Sequence, residues 1–339
     1  MKPTDFSYYL TNFLSKYLPG EKGASKNTIN SYKDTFILFL RFLKEKEDIE
    51  AENLTLNMIS KDTVVEYLNW TENERNCSSS TRNVRLAALH SFFQYLQYEN
   101  PNNLIEWQRI LSIPVKKTEK QTINYLTLDG IKLLLEMPNQ DTEKGRRDLA
   151  LLTLMYDTAA RVQEIIDLKP SRIRFDKPYT IKLIGKGNKA RIVPLMEPTV
   201  KILKQYMEEQ NLLEINHNSH PLFFNKRKEK LTRAGINYIL RKYKNMARSK
   251  SETLIPETVS CHSLRHSKAM HLLQAGVNLV YIRDILGHSS VQVTEIYAKV
   301  DSKQKRDAIE KAYTDVTPNE EPVWQKNDNL LDWLKNFNK

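Results

Sequence analysis

Apolar residues recur at helical spacing along most of the chain. Between residues 25 and 46, Ile29, Tyr32, Phe36, Phe39, Leu40 and Leu43 repeat at that spacing, and Ser25 stands where an N-cap belongs. A second helix is predicted from about Ser60 to Trp70. A third starts at the SSST cluster of residues 78–81 and runs through NVRLAALHSFFQYLQYE. In that helix Val84, Ala88, Phe92 and Tyr95 or Leu96 are assigned to the core stripe, and Arg82, Arg85 and Leu89 to another face. Tyr8, Phe13, Leu14 and Tyr17 suggest one more helix near the start. Residues 1–113 therefore read as a small all-α domain.

The pattern then breaks. Pro114 is followed by VKKTEKQTINY, so residues 114–124 read as an interdomain linker. Thr127 opens a new helix in which Leu126 and Ile131 are spaced as a hydrophobic staple. A single helix is predicted over 147–168. TIKLIGKGNKARIVPL reads as two short strands around the polar turn at residues 185–188. Helices are predicted again over 198–210, 232–247, 263–274, 278–286 and 291–313. Residues 125–313 thus form a second domain, mostly helical with a small antiparallel sheet. The tail, 314–339, holds Pro318, Pro322 and several acids. It ends in a segment whose Leu330, Trp333, Leu334 and Phe337 share one helical face, suited to folding back on its own domain or docking on a neighbouring protomer.

Composition narrows the class. Nine glycines in 339 residues favour long helices over a turn-rich β fold, and two cysteines do not make a disulfide framework. There is no 18-residue apolar run and no signal-peptide pattern, so a cytoplasmic protein off the membrane is expected. The net charge of +11 is unevenly spread. Residues 1–115 hold 13 Lys and Arg against 14 Asp and Glu, and the remainder holds 39 against 27. Any polyanion is therefore drawn mainly to the C-terminal part.

Five segments carry candidate chemistry: AARVQE (159–164), GKGNKARIVPL (185–195), HSLRH (262–266), LGHSS (286–290) and Tyr297 in VTEIYAKV. Phosphodiester cleavage without a metal needs fixed cations on the non-bridging oxygens, and arginine meets them with a planar fork. It also needs a nucleophile, a group to take the nucleophile's proton and an acid for the leaving oxygen. Two arginines, two histidines, a lysine and a tyrosine supply these parts. Each has an ordinary alternative. Arg161 can pair with Glu164 three residues on, and Lys186 can be a solvated turn residue. Cys261, His262 and His266 are spaced like some zinc ligands, but no second Cys/His cluster accompanies them.

Taken together, the segments resemble the tyrosine recombinase (phage integrase-like) family, most closely its Xer-type members. Arg161 matches the family's A-R-x-x-E arginine and Lys186 its G-K-G-N-K-x-R-x-V-P-L lysine. His262 and Arg265 match H-x-L-R-H, His288 matches L-G-H, and Tyr297 follows nine positions later. Pro221 to Tyr243 also resembles the family's segment before H-x-L-R-H, and the resemblance spans roughly residues 4–313. Two departures stand out: Ala159-Ala160 lies where Gly is frequent, and the tail is longer.

The resemblance implies a mainly α, two-domain C-shaped clamp, with a small all-α core-binding domain and a mostly helical catalytic domain carrying a small antiparallel β-sheet. It implies that Tyr297 forms a 3′-phosphotyrosyl bond, that Arg161 and Arg265 clamp the phosphate, and that Lys186 protonates the 5′ oxygen. His262 is then the base toward Tyr297, His288 a phosphate hydrogen-bond partner and Glu164 a structural residue. No metal, cofactor or ATP is implied. The implied partner is double-stranded DNA with inverted-repeat core sites. One protomer occupies each half-site, with a homotetramer in the synapse, a monomer or dimer off DNA and room for an accessory protein. The near-immediate start of the helical domain suggests a simple recombinase without an arm-binding domain, for chromosome dimer resolution or for integration and excision of a mobile element. From the basic residues themselves, Arg82, Arg85, Lys189, Arg191, Arg241 and Lys242 are expected to touch DNA. The rival expectations are a type IB topoisomerase and an inactive DNA-binding regulator on the same fold.

Overall fold

The structure is a computed structural model that describes residues 3–118, 123–214, 219–300 and Leu331, Leu334 and Lys335. Two compact units divide the chain, Met1–Gln121 and Thr122–Lys339.

The first unit is helical. Asp5–Asn12 (α1) continues as a π-helical stretch, Phe13–Glu21, and is followed by Lys26–Glu47 (α2), Lys61–Asn73 (α3), Ser79–Glu99 (α4) and Leu104–Leu111 (α5). Thr4, Ser25, Ser60 and Ser78 each accept a backbone N–H of the first turn, which satisfies a donor that the helix cannot. Phe6, Phe13, Phe36 and Phe92 interlock edge to face or tilted at centroid separations of 5.1–6.5 Å. The short α5 lay outside the predicted elements. It buries Trp107 and Ile110 against α4, and Trp107 stacks beside Phe93 at 5.1 Å.

Helix α4 sits among α2, α3 and α5, and its buried surface differs from the expected stripe. Leu86, Leu89, Phe93 and Arg82 are buried, whereas Val84 is exposed. A helix packed on several sides has no single polar face, so one stripe was too narrow a reading. Arg82 is only 5% exposed, and its Nη1 donates to the carbonyl of Pro114 at 3.1 Å. Asn83 and Lys116 exchange hydrogen bonds through the Asn83 side chain. The start of the expected linker is thereby pinned to α4. Arg85, half-buried, donates to Thr35 Oγ1 at 3.1 Å and ties α4 to α2. The expectation that Arg82 contacts DNA is corrected by its burial. The guanidinium of Arg85 is likewise engaged within the unit.

The second unit contains Leu128–Leu135 (α6), Glu143–Asp157 (α7) and Val162–Ile166 (α8). Strands Ile173–Arg174 (β1), Thr180–Ile184 (β2) and Ala190–Pro194 (β3) come next. They precede Glu197–Glu209 (α9), Arg233–Lys250 (α10), Cys261–Gln274 (α11), Leu279–Leu286 (α12) and Glu295–Val300 (α13). The strands pair antiparallel in the order β1-β2-β3, with Ile181 opposite Val193 and Leu183 opposite Arg191. The two-residue strand β1 was not expected. Ile181, Leu183 and Val193 join a core built from α6–α11, and Leu126 and Ile131 are both buried in it, as a staple requires. A smaller cluster of Ala159, Ala269, Met270, Leu273, Ile282, Leu286 and Tyr297 lies under α11–α13. Residues 301–313 of the last predicted helix, and Leu330, Trp333 and Phe337 of the tail, lie outside the described residues.

The single helix expected over 147–168 is two. Helix α7 stops at Asp157, and α8 starts at Val162 with Arg161 extended as its N-cap. Between them Ala159 takes a left-handed conformation, φ 50°, while fully buried. No Pro or Gly announces the break. What holds it is tertiary: the Ala159 carbonyl accepts Arg265 Nη1 at 2.7 Å. A left-handed alanine is strained by roughly 1–2 kcal/mol relative to glycine. Ala159→Gly relieves that strain but gives up about 0.8 kcal/mol of methyl burial and adds about 0.4–1 kcal/mol of unfolded-chain entropy, so the melting temperature in thermal denaturation is expected to stay nearly unchanged.

Candidate active site

Three arginines converge on the C-terminal end of α12. Arg191 Nε donates to the carbonyl of Ile285 at 2.8 Å, Arg265 Nη2 to that of Leu286 at 2.6 Å, and Arg161 Nη2 to that of Gly287 at 3.0 Å. These are carbonyls at the negative end of a helix, which lack intrahelical partners. Gly287 makes the approach possible. It closes α12 in the left-handed conformation, φ 64°, and a Cβ there would lie 2.9 Å from Arg191 Nη1.

Glu164 lies beneath two of the guanidinium groups and is 4% exposed. It accepts from Arg191 at 2.7 and 2.8 Å and from Arg161 Nη1 at 2.9 Å, and it caps the Arg161 backbone N–H at 2.8 Å. Burial alone would raise its carboxyl, but the bonds from Arg191 and Arg161 outweigh burial and hold it below its ordinary value. Arg191 is thus a scaffold residue. Its side chain is 11% exposed, because the two-residue period of β3 puts it on the same inward face as Val193. That corrects its assignment to DNA. The outward Ile192, 70% exposed, shows the other face.

Arg265, at 4% exposure, has no carboxylate within ion-pair distance among the described residues. Burial, then the nearby Arg161 and Arg191, push its guanidinium down to about 10. Three guanidinium groups thus lie together with one carboxylate, which pairs with Arg161 and Arg191 only, so the cluster carries excess positive charge. Arg161, with its side chain 33% exposed, presents that charge outward.

Tyr297 joins this cluster from α13. It is 1% exposed, and its hydroxyl lies 2.8 Å from Nδ1 of His266. Burial raises the phenol above its ordinary value, and Arg265 and Arg161 pull the other way. The expected base, His262, sits one helical turn earlier on α11 and is exposed. Burial, then Arg265, Arg233 and Arg161, lower its imidazole. The tyrosine's hydrogen bond thus goes to the second histidine of HSLRH, a residue that sequence reasoning weighed as a core or surface histidine or a metal ligand and did not place in the site. Their four-residue spacing puts both on one face, so only the packing of α13 distinguishes them.

His288 follows Gly287, and its Nδ1 lies 3.0 Å from Thr294 Oγ1. Burial, then Arg265 and Arg161, push its imidazole down to about 4. Thr294 was not singled out from the sequence. It is fully buried, and its carbonyl accepts the Tyr297 backbone N–H at 3.1 Å, so it joins His288 to the helix of Tyr297. Lys186 lies in the β2–β3 turn, where Gly187 adopts φ 73°, and its side chain is outside the described residues. Lys189, Arg241 and Lys242 are exposed on the second unit. Among the described residues no group of three His, Cys, Asp or Glu side chains is arranged to hold a metal, and no helix is long and apolar enough to cross a membrane.

Residues 124–304 match the Phage integrase family, and residues 10–100 match its N-terminal SAM-like domain. The integrase/recombinase y4rC of Sinorhizobium fredii is 34% identical over 328 residues, 97% of each chain. Tyrosine recombinase XerD of Listeria monocytogenes is 30% identical over 293 residues, 86% of this chain and 94% of that one. Among solved structures, the XerH site-specific recombinase bound to palindromic difH substrate matches at 25% identity. Its TM-score is 0.66, over 87% of this chain and 82% of that one. The chain belongs to the phage integrase family, and with its Xer relatives it is a tyrosine recombinase.

Two predictions follow from the charges. Arg191→Ala leaves a buried carboxylate with one cation instead of two and is expected to cost about 3 kcal/mol of stability, whereas Lys189→Ala leaves the melting temperature unchanged. Denaturant titration of both variants checks this. His266 and His288 are each held near 4 against an ordinary 6.5. Between those values the unfolded chain binds protons that the folded site refuses, so stability falls as pH drops through that window. Melting temperatures at pH steps from about 7 to about 4.5 should decline progressively, and His266→Gln should soften the decline.

Proposed function

We propose that the chain cleaves and rejoins double-stranded DNA at specific core sites through a covalent bond between Tyr297 and a DNA 3′ phosphate. The observation that carries this reading is the meeting of a buried phenol with a cluster of guanidinium groups that exceeds its one carboxylate. Arg161 and Arg265 neutralise the non-bridging oxygens as charge gathers on them, which is where fixed donors accelerate phosphoryl chemistry most. His288 donates from Nε2 to the same phosphate, with Nδ1 held by Thr294. His262, exposed beside Arg265, stands on the DNA-facing rim. Lys186, on the β2–β3 turn, supplies the proton for the departing 5′ oxygen. The phosphotyrosyl bond keeps the energy of the broken linkage, so rejoining needs no ATP.

The second unit, with its excess of Lys and Arg, supplies most of the phosphate contacts, and Lys189, Arg241 and Lys242 are the assigned contacts there. Two inverted half-sites each take one protomer, and four protomers form the synapse. The segment after residue 313 is suited to contact between neighbouring protomers or with its own domain, and the assembly leaves room for an accessory protein. The relatives named above support a cytoplasmic enzyme of chromosome dimer resolution or of integration and excision of a mobile element.

The test is covalent trapping. Nicked duplexes from a randomised pool and from DNA flanking the gene are incubated with the protein without divalent metal and run under denaturing conditions. Wild type is expected to form a protein–DNA adduct and Tyr297→Phe none. Arg161→Ala should slow adduct formation by about 10²–10³-fold. An adduct that persists in Tyr297→Phe would overturn the assignment of the nucleophile. Specific binding without any adduct would favour a DNA-binding regulator.

A further inference from the structure

We infer that His266 is the group that takes the phenolic proton of Tyr297 during cleavage and returns it during rejoining. The inference rests on the recombinase reading and deepens it. His266 is the residue in hydrogen-bond contact with the reacting atom: its Nδ1 lies 2.8 Å from the Tyr297 hydroxyl, with the rings 5.7 Å apart and tilted by 54°. His262 lies farther along the same face of α11, its ring 6.2 Å from that of His266.

The direction of this bond follows from chemistry. A phenol at neutral pH is protonated and donates. Nδ1 must then be bare and Nε2 must carry the ring's proton. The imidazole is kept in this neutral form because burial, then His262 and Arg265, push it down to about 4. In the resting site that makes His266 a weak base facing a reluctant phenol. A bound phosphodiester changes both. Its negative charge, set against Arg161 and Arg265, cancels part of the cationic field that disfavours an imidazolium. The base therefore strengthens when substrate arrives, and the nucleophile is activated only in its presence.

The step balances. Tyr297 O–H breaks as Nδ1–H forms, the phenolic oxygen bonds to phosphorus, and the bond from phosphorus to the 5′ oxygen breaks, with that oxygen taking its proton from Lys186. In rejoining, a 5′ hydroxyl attacks phosphorus as its proton passes to the neutral amine of Lys186, the phenolic oxygen leaves, and the imidazolium of His266 returns its proton to that oxygen. The titratable and charged groups facing His266 are His262 and Arg265 of α11, Tyr297 of α13 and His288 after α12. The pH dependence of cleavage is therefore read against variants of His266 itself.

The experiment uses full-length protein and a duplex recovered by trapping, with sulfur replacing the scissile 5′ oxygen. Sulfur leaves without an acid, so single-turnover adduct formation reports removal of the phenolic proton. His266→Ala and His266→Asn are compared with wild type. Asn keeps an acceptor near the Nδ1 position but cannot hold a proton at neutral pH. DNA affinity and melting temperature are measured alongside, so that a misfolded variant is recognised and the other one decides. Both variants should bind DNA as wild type does and form adduct about 10²-fold more slowly. Wild type should plateau above neutral pH, whereas the variants should keep accelerating with hydroxide as the phenol itself ionises. Added imidazole should restore part of the rate in His266→Ala.

A wild-type or faster rate in a folded variant would overturn the inference, as would a slow rate that keeps the wild-type plateau, since that marks a residue which only orients the tyrosine. Absence of adduct with wild type would instead strike the recombinase reading, before any variant is compared.

Discussion

The second unit depends on one arrangement: successive carbonyls at the end of α12 each receive an arginine from a different element. Arg191 comes from β3, Arg265 from α11 and Arg161 from the break between α7 and α8. One buried carboxylate, Glu164, fixes two of them. Each interaction alone is modest in water. In a dry site they are strong, and they are also obligatory, because a buried guanidinium or a bare helix-end carbonyl left without a partner costs several kcal/mol. Structure and chemistry are therefore one feature. The helix end and the carboxylate hold the cations in place but do not neutralise them all.

Tyr297 is tied to the same feature. Tyr297 packs in the small apolar cluster beneath α11–α13, next to Ala159 and Leu286, whose carbonyls hold Arg265. Thr294 connects the helix of Tyr297 to His288, which adjoins Gly287. A shift of α12 would move Arg161, Arg191, Arg265 and the phenol together. That linkage gives positional accuracy to a site assembled from residues more than a hundred positions apart, and such accuracy is what proximity effects in catalysis require.

The first unit does a different kind of work. Its aromatic core and side-chain N-caps make a rigid helical body, and its buried basic residues serve that body. Arg82 and Arg85 spend their donors on Pro114 and Thr35. A basic residue in a helix is a DNA contact only if packing leaves its head group free. The near-neutral balance of residues 1–115, 13 Lys and Arg against 14 Asp and Glu, likewise gives this unit little net attraction for a polyanion.

Much of this was legible in the sequence, because it rests on local rules. Side-chain caps at Ser25, Ser60, Ser78 and Thr127, the 3.6-residue apolar period and the polar turn between two β-branched runs each announce an element without reference to the rest of the chain. The residue types at 161, 262, 265, 288 and 297 likewise pointed to the tyrosine recombinase family before any geometry was known. Other features were decided only by tertiary contacts. The helix break at Ala159 has no local signal and exists because Arg265 holds its carbonyl. Arg191 faces inward because Glu164 lies under β3. His266 and not His262 meets Tyr297 because α13 packs against the inner side of α11. A short-range pattern specifies which residues share a face, whereas the partner that face meets is set by segments distant in sequence. The family was therefore readable from the residue types, and the contacts each residue makes depended on the fold.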